Sequence, residues 1–423
     1  MFSRRRFFGM AAAAGASSLV HAQDQTKCSS LPPSIAQLTS MSSQAEPISA
    51  EEREQRQEEA RRLMTGNHLD AILIGPGTSL KYFSGIDWWG SERLFAMVLP
   101  VKGQMFYVSA AFEEGRARER LARDGKTADI RVWQEHENPY NVVAQGLKDR
   151  GIATGTVGLE ETLKFVFSDG IKKAASRANF VSATPVTAGC RGIKSQHELD
   201  LMRLANQVTL AAYAAVYRSV APGMTQSEVE HLLDAAHRQL GFPGEVEVQI
   251  GEFAAFPHGS LTPQIVREGT VVLMDGGCKV EGYQSDITRT FVLGKASEKM
   301  NQVFEIVHRA QSAALQAARP GAQAQSVDAA ARKVITDSGY GPDYKYFTHR
   351  LGHGIGMDEH EWPYLVRGNT MKLEPNMTFS DEPGIYIRGE FGIRLEDDMH
   401  ITEDGAQLFT PQSPSLEDPF GKA

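Results

Sequence analysis

Five side chains in the C-terminal part of the chain have the types and spacing for two-metal chemistry: Asp275, Asp286, His353, Glu382 and Glu396. They lie in the runs Val-Val-Leu-Met-Asp275-Gly-Gly, Ser-Asp286-Ile-Thr-Arg-Thr, Leu-Gly-His353-Gly-Ile-Gly, Asp-Glu382-Pro-Gly-Ile-Tyr and Ile-Arg-Leu-Glu396-Asp. Four carboxylates and one imidazole suit two hard-to-borderline divalent ions that share bridging carboxylates. Such a pair can activate a water and clamp an attacked carbonyl, which is metal-assisted hydrolysis.

Two hairpins must bring these ligands together. Asp275 and Asp286 are equidistant from a turn centred on Val280-Glu281, with Gly282 beside it, and Glu382 and Glu396 are equidistant from Gly389. Residues equidistant from the turn face each other across a regular antiparallel ladder. Facing carboxylates destabilise a hairpin unless a cation lies between them. The expectation is therefore a di-metal cleft between two carboxylate-bearing hairpins.

The rest of the chain reads as two domains. Residues 51–191 alternate helical stretches with buried strands such as Leu69-Asp-Ala-Ile-Leu-Ile, Leu94-Phe-Ala-Met-Val-Leu and Thr156-Val-Gly-Leu, an α/β pattern. Residues 192–423 open with Ser195-Gln-His-Glu198, a capping box ahead of a long apolar-periodic helix that Pro222-Gly223 ends. Thr225-Gln-Ser-Glu228 caps a second helix, stopped by Gly241, and strands with a hairpin follow. The order then recurs. A helix from about Ser297 runs to the break at Pro320-Gly321, a further helix from Ser326 is stopped by Gly339, and strands with a hairpin close the unit. This predicts an α+β domain built by internal pseudo-two-fold duplication.

Ahead of both domains, Ser3-Arg4-Arg5-Arg6-Phe7-Phe8, the small apolar stretch Gly9 to Val20 and the Val20-His21-Ala22 cleavage pattern read as a twin-arginine signal over residues 1–22. Export to the periplasm, or secretion, is the expectation. Residues 23–50 are rich in Ser, Gln and Pro and read as a linker. Cys28, Cys190 and Cys278 permit one disulfide at most, with a thiol left over, and their spacing fits no zinc site. A formal net charge of −8 argues against nucleic acid as a partner. No apolar run after the N-terminal segment is long enough to anchor the chain in a bilayer.

The runs Gly282-Tyr-Gln-Ser-Asp-Ile-Thr-Arg-Thr-Phe and Phe379-Ser-Asp-Glu-Pro-Gly-Ile-Tyr resemble the pita-bread metallopeptidases, the group of methionine aminopeptidase, aminopeptidase P and prolidase. The resemblance spans about 193–411, and residues 61–191 are similar to the creatinase-type N-terminal domain. It implies that Asp275 binds one ion, His353 and Glu382 the other, and that Asp286 and Glu396 are shared. It places four more residues at the site: His258 in Phe-Pro-His-Gly, His349 in Phe-Thr-His-Arg, His360 in Glu-His-Glu-Trp-Pro, and Arg394.

A histidine beside the attacked carbonyl can donate to a developing oxyanion or carry a proton to the leaving nitrogen, which suits His258 and His360. Glu382 is the expected general acid–base. His349 is expected to shape the substrate site, and Arg394 to hold a substrate carboxylate or brace the ligands. The implied reaction is attack of a metal-bridging hydroxide on a peptide bond preceding proline, by a dipeptidase or an aminopeptidase. Relatives that act on non-peptide substrates, as a lyase or another amide hydrolase, keep that alternative open. The resemblance also implies manganese as the metal, with cobalt, zinc or iron as other occupants, and a homodimer. In the first domain, Trp89 or Arg93 is a candidate substrate contact from a neighbouring subunit.

Overall fold

A computed structural model describes residues 31–122 and 128–421. The signal expected over 1–22 and Cys28 lie outside the described residues.

The segment read as a linker is in its described part docked structure. A single helical turn, α1 (Pro33–Ala36), places Ile35 at 0 % exposure against the helices of the second domain. Leu38, Met41, Ala45 and Ile48 pack on the same core, Ser34 Oγ donates to the Ala215 carbonyl at 2.8 Å, and Met41 N donates to the Leu240 carbonyl at 2.8 Å. The Ser/Gln/Pro composition hides these anchors because they are single apolar residues with no period.

The first domain begins with α2 (Ala50–Gly66), whose Ser49–Glu52 capping box satisfies its N-terminal amides reciprocally. A six-stranded sheet follows, comprising β1 (Ala71–Ile74), β2 (Ala96–Pro100), β3 (Phe106–Ala110), β4 (Asp129–Trp133), β5 (Thr156–Leu159) and β6 (Asn179–Ser182), in the order β4-β3-β2-β1-β5-β6. β1–β2 and β2–β3 are antiparallel and the other pairs parallel. Helices α3 (Thr78–Ser84), α4 (Glu114–Ala122), α5 (Pro139–Asp149), α6 (Phe165–Ala174) and α7 (Thr184–Gly192) connect and flank the strands. Apolar cores lie on both faces of the sheet, which is why β1, β2 and β3 are buried at every position rather than alternating.

The second domain repeats a helix pair followed by antiparallel strands. The first unit packs α8 (Gln196–Tyr217) and α9 (Gln226–Leu240) on a sheet formed by β7 (Gly244–Ile250), β8 (Val271–Val280), β9 (Tyr283–Gln284) and β10 (Ile287–Val292). The capping boxes at Ser195 and Thr225 are present as expected. The second unit packs α10 (Glu298–Ala317) and α11 (Ala324–Asp337) behind β11 (Gly352–Gly354), β12 (Glu361–Leu365), β13 (Thr378–Asp381), the ribbon β14 (Gly384–Ile387)–β15 (Phe391–Arg394), β16 (Asp397–Ile401) and β17 (Ala406–Leu408). α11 starts two residues before the expected Ser326. The Ala324 and Gln325 amides donate to the Met371 and Asn369 carbonyls, so the first turn needs no side-chain cap.

Candidate metal centre

The two hairpins reach the site by different registers. Glu281 and Gly282, with φ of 49° and 96°, form the two-residue turn of the first. The ladder pairs Val280 with Tyr283 and Asp275 with Thr288, so Asp275 does not face Asp286 as the equidistance from Val280-Glu281 predicts. The slip is two residues, which preserves the face. Asp286 follows the point where β9 gives way to β10, and its amide donates to Asp398 Oδ2 at 2.9 Å. The second hairpin keeps the expected register: Gly384 pairs with Arg394 and Asp381 with Asp397, with Glu382 and Glu396 between these pairs. Gly352 lets β11 lie against β13, since a Cβ there would meet the Ser380 carbonyl oxygen at 2.0 Å. His353 is thereby delivered beside Glu382.

The five expected ligands line one cavity of about 450 Å³. One oxygen each from Asp275, Asp286 and Glu396 lies within 4.8 Å of the others, as do single ligand atoms of His353, Glu382 and Glu396. His353 Nε2 is 3.4 Å from Glu382 Oε1 and 3.6 Å from Asp286 Oδ2, while Nδ1 lies 3.1 Å from the Gly354 carbonyl. A proton on Nδ1 leaves the Nε2 lone pair facing the carboxylates, the tautomer a metal ligand needs. Burial holds His353 neutral, down to about 3, with His360 adding to the effect.

Two divalent ions fit this donor set. Burial pushes Asp286 and Glu396 well above the usual carboxylate range, with neighbouring carboxylates adding to it, and pushes Glu382 up to about 8 against the pull of Arg394. The Thr288 hydroxyl lies 2.5 Å from both Asp275 Oδ1 and Glu396 Oε2, yet has one proton to donate. Arg394 also reaches Asp275 and lies 3.9 Å from Glu396 Oε2, but among the described residues Asp286 and Glu382 pair with no lysine or arginine. Two overlapping triads that share Glu396 are what a pair of ions would satisfy.

The other expected residues line the same cavity. His360 lies just before β12, stacked on His353 with ring centroids 3.8 Å apart, and burial lowers its pKa. One of its ring nitrogens also comes within 4.8 Å of Asp286 and His353 ligand atoms. The Gly356–Glu361 turn that carries it is pinned to the first domain by Arg191, which pairs with Asp358 and Glu361, and by Thr78, which donates to Asp358 at 2.5 Å; Lys194 Nζ, just past the domain boundary, pairs with Glu361 at 2.8 Å. His258 stands exposed on the cavity wall after a short 3₁₀ turn. His349 has both ring nitrogens engaged, Nδ1 with the Arg350 carbonyl and Nε2 with Tyr386 Oη, each at 2.7 Å, and burial lowers it to about 3.

Arg394 is buried, with Nη2 on Asp275, Nε donating to Thr288 at 3.0 Å and Nη1 to Tyr386 at 3.0 Å. In this arrangement it braces the ligands, the second of its two expected roles. In the first domain, Trp88 is in the core with Phe95, Trp89 stacks on it under Arg116, and Arg93 pairs with Glu135. Cys190 and Cys278 are free buried thiols, and Cys278 faces the Ala205 carbonyl in the core rather than the carboxylates.

Sequence reasoning passed over Thr288, Asp398, Tyr386 and Arg350. Thr288 and Asp398 each lie two residues beyond a ligand, the spacing that keeps a strand residue on the same face. Asp398 accepts from the Asp286 amide and from Asn206, and burial pushes it up to about 8. Tyr386 and Arg350 end the runs Phe379-Ser-Asp-Glu-Pro-Gly-Ile-Tyr and Phe-Thr-His-Arg, but their places at the site depend on contacts with distant parts of the chain.

Comparison with known proteins agrees with this architecture. Residues 200–403 match the metallopeptidase family M24, and residues 56–193 match the creatinase/prolidase N-terminal domain. An Xaa-Pro dipeptidase from Lactobacillus delbrueckii subsp. lactis is 33% identical over 359 residues, covering 83% of this chain and 95% of the relative. Among solved structures, dipeptidase PepE from Mycobacterium ulcerans superposes with a TM-score of 0.82 at 33% identity, over 88% of this chain and 99% of that one. A prolidase from Thermococcus sibiricus superposes at 0.77 with 30% identity, over 85% and 96%. The fold and site define a two-domain hydrolase with a pita-bread catalytic unit. The chain belongs to metallopeptidase family M24 and carries the creatinase/prolidase N-terminal domain.

Proposed function

We propose that the protein cleaves the peptide bond preceding proline in short peptides, as an Xaa-Pro dipeptidase using two divalent ions held by Asp275, Asp286, His353, Glu382 and Glu396. The observation that carries this reading is the convergence of these five side chains from both halves of the second domain, in a chain similar along most of its length to an Xaa-Pro dipeptidase. Manganese is the proposed metal, on a donor set of carboxylates and one imidazole. Such ions supply polarisation of the scissile carbonyl and a lowered pKa for the attacking water.

The chain's own groups do the rest. Glu382, at the ligand cluster beside His353, takes the proton of the attacking water and returns it to the leaving nitrogen. His360, kept neutral by burial, donates to the oxygen of the attacked carbonyl, and His258 lines the same cavity. Arg394 and Thr288 hold Asp275 and Glu396 in place. His349 lies beside Glu382, with Nδ1 3.6 Å from Oε2, and its ring is fixed by the Arg350 carbonyl and Tyr386 Oη. The reading includes export by the twin-arginine route, supported by Ser3-Arg4-Arg5-Arg6-Phe7-Phe8, and a homodimer, which sedimentation would test.

The deciding experiment is turnover of the signal-less protein, with and without manganese, on an Xaa-Pro dipeptide, a longer Xaa-Pro-led peptide and a dipeptide lacking proline. Manganese-dependent cleavage of the Xaa-Pro dipeptide alone is expected. Cleavage of the longer peptide as well would make the protein an aminopeptidase, and cleavage of none would remove the peptide substrate from the reading.

A further inference from the structure

Seven carboxylates and two arginines line the cavity, and only one arginine is committed to a carboxylate. Arg394 is spent on Asp275, Thr288 and Tyr386. Arg350 forms no ion pair among the described residues. Its guanidinium lies 4.2 Å over the Tyr364 ring, and Nη2 stands 3.4 Å from His360 Nδ1. The order from the ligands outward is therefore His353, His360, Arg350, Tyr364.

A guanidinium held over an aromatic face, with donors unspent, can take a carboxylate through two parallel hydrogen bonds. Among the described residues no carboxylate of the acidic cavity wall lies within ion-pair distance of it, which leaves the guanidinium free to take one from the substrate. When the scissile carbonyl sits at the ligand cluster, the carboxyl carbon of the next residue lies one residue on, at most about 3.6 Å. Arg350 lines the same cavity, one contact beyond His360. From this geometry we infer that Arg350 binds the free α-carboxylate of the residue after the scissile bond, and so restricts the enzyme to dipeptides. A longer peptide would place an uncharged amide against the guanidinium. This assignment rests on the peptidase reading above and gives it a chain-length rule. It also moves the substrate-carboxylate role from Arg394 to Arg350.

The test compares an Xaa-Pro dipeptide with its C-terminal amide on the manganese-loaded enzyme. Wild type should prefer the free acid by about 10- to 100-fold in kcat/KM, the range of a hydrogen-bonded charge pair. Arg350→Met should collapse that preference to about threefold or less, chiefly through KM, and Arg350→Lys should retain part of it. Equal cleavage of acid and amide by wild type would overturn the assignment. So would a loss in Arg350→Met that is the same factor on both substrates, which would mean that Arg350 only positions His360. A second measurement separates this from the peptidase reading. Proline, but not prolinamide, should raise the melting temperature of the wild-type holoenzyme and leave Arg350→Met unmoved. If neither peptide is cleaved the peptidase reading fails, and the proline pair still decides for or against Arg350.

Discussion

His353 and His360 stack at 3.8 Å, yet their surroundings give them separate tasks. His353 is buried with one nitrogen on a carbonyl and the other on carboxylates, whereas His360 is on the cavity wall beside Arg350. Asp286→Ala should therefore lose both bound metal and hydrolysis, while His360→Ala should keep the metal and lose about 10²- to 10⁴-fold in kcat. Metal analysis beside turnover separates the two, and unchanged turnover in His360→Ala would remove its assigned role. Away from the site, Glu160 is buried at the end of β5 and pushed up to about 7, chiefly by burial, although it accepts from the Gly75 amide at 3.2 Å. Below about 4.5 the group is protonated in both the folded and unfolded chain. As pH rises from there to about 7 the unfolded chain ionises first, so stability falls, by roughly 3 kcal/mol in all. Glu160→Gln should remove that loss, so its advantage over wild type in denaturant midpoint should grow from pH 5 to pH 8. A constant difference would show that the buried carboxyl titrates normally. Single-residue legibility followed chemistry: ligands and histidines are the metal-binding and proton-carrying members of their motifs, while Arg350 and Tyr386, in the same motifs, gain a place at the site only from contacts with distant parts of the chain.

Elements were legible where a local signal ends them. The capping boxes at Ser195 and Thr225, and the left-handed stop at Gly241, place three helix termini from sequence alone. Signals that depend on distant chain were not. The first hairpin was displaced by two residues because Glu281-Gly282, rather than Val280-Glu281, takes the left-handed turn, and the early start of α11 depends on carbonyls from 369 and 371. The docked segment before α2 is the sharpest case. Ile35 is 0 % exposed between α8 and α9 although its neighbours read as linker. Deleting a buried aliphatic side chain costs about 2–5 kcal/mol. Ile35→Ala should destabilise the second domain by an amount in that range, measured by denaturant unfolding of the signal-less protein. A change under about 0.5 kcal/mol, the scale of surface substitutions, would show that the segment only rests on the domain.

On the scale of the whole molecule, the duplication was visible in two Pro-Gly breaks, each followed by a helix and a hairpin, and its consequence is a site assembled from both copies. Asp275 and Asp286 come from the unit of β7–β10, and His353, Glu382 and Glu396 from that of β11–β17. Without cations, the seam between the units holds carboxyl groups that burial and mutual repulsion push upward, with Arg394 bridging to Asp275. Ions bound across the seam would stabilise the folded chain by mass action, about 2.7 kcal/mol per site at a hundredfold excess over Kd. Chelation should therefore lower the melting temperature, and manganese should restore it in a concentration-dependent way. Because each unit contributes ligands, Asp286→Ala and His353→Ala should lose the same manganese-dependent gain although they lie in different copies. The logic fails if full removal of metal leaves the melting temperature unchanged, for then apolar packing alone would hold the copies together. It fails also if only one of the two variants loses the gain, because the ions would then belong to one unit rather than to the seam.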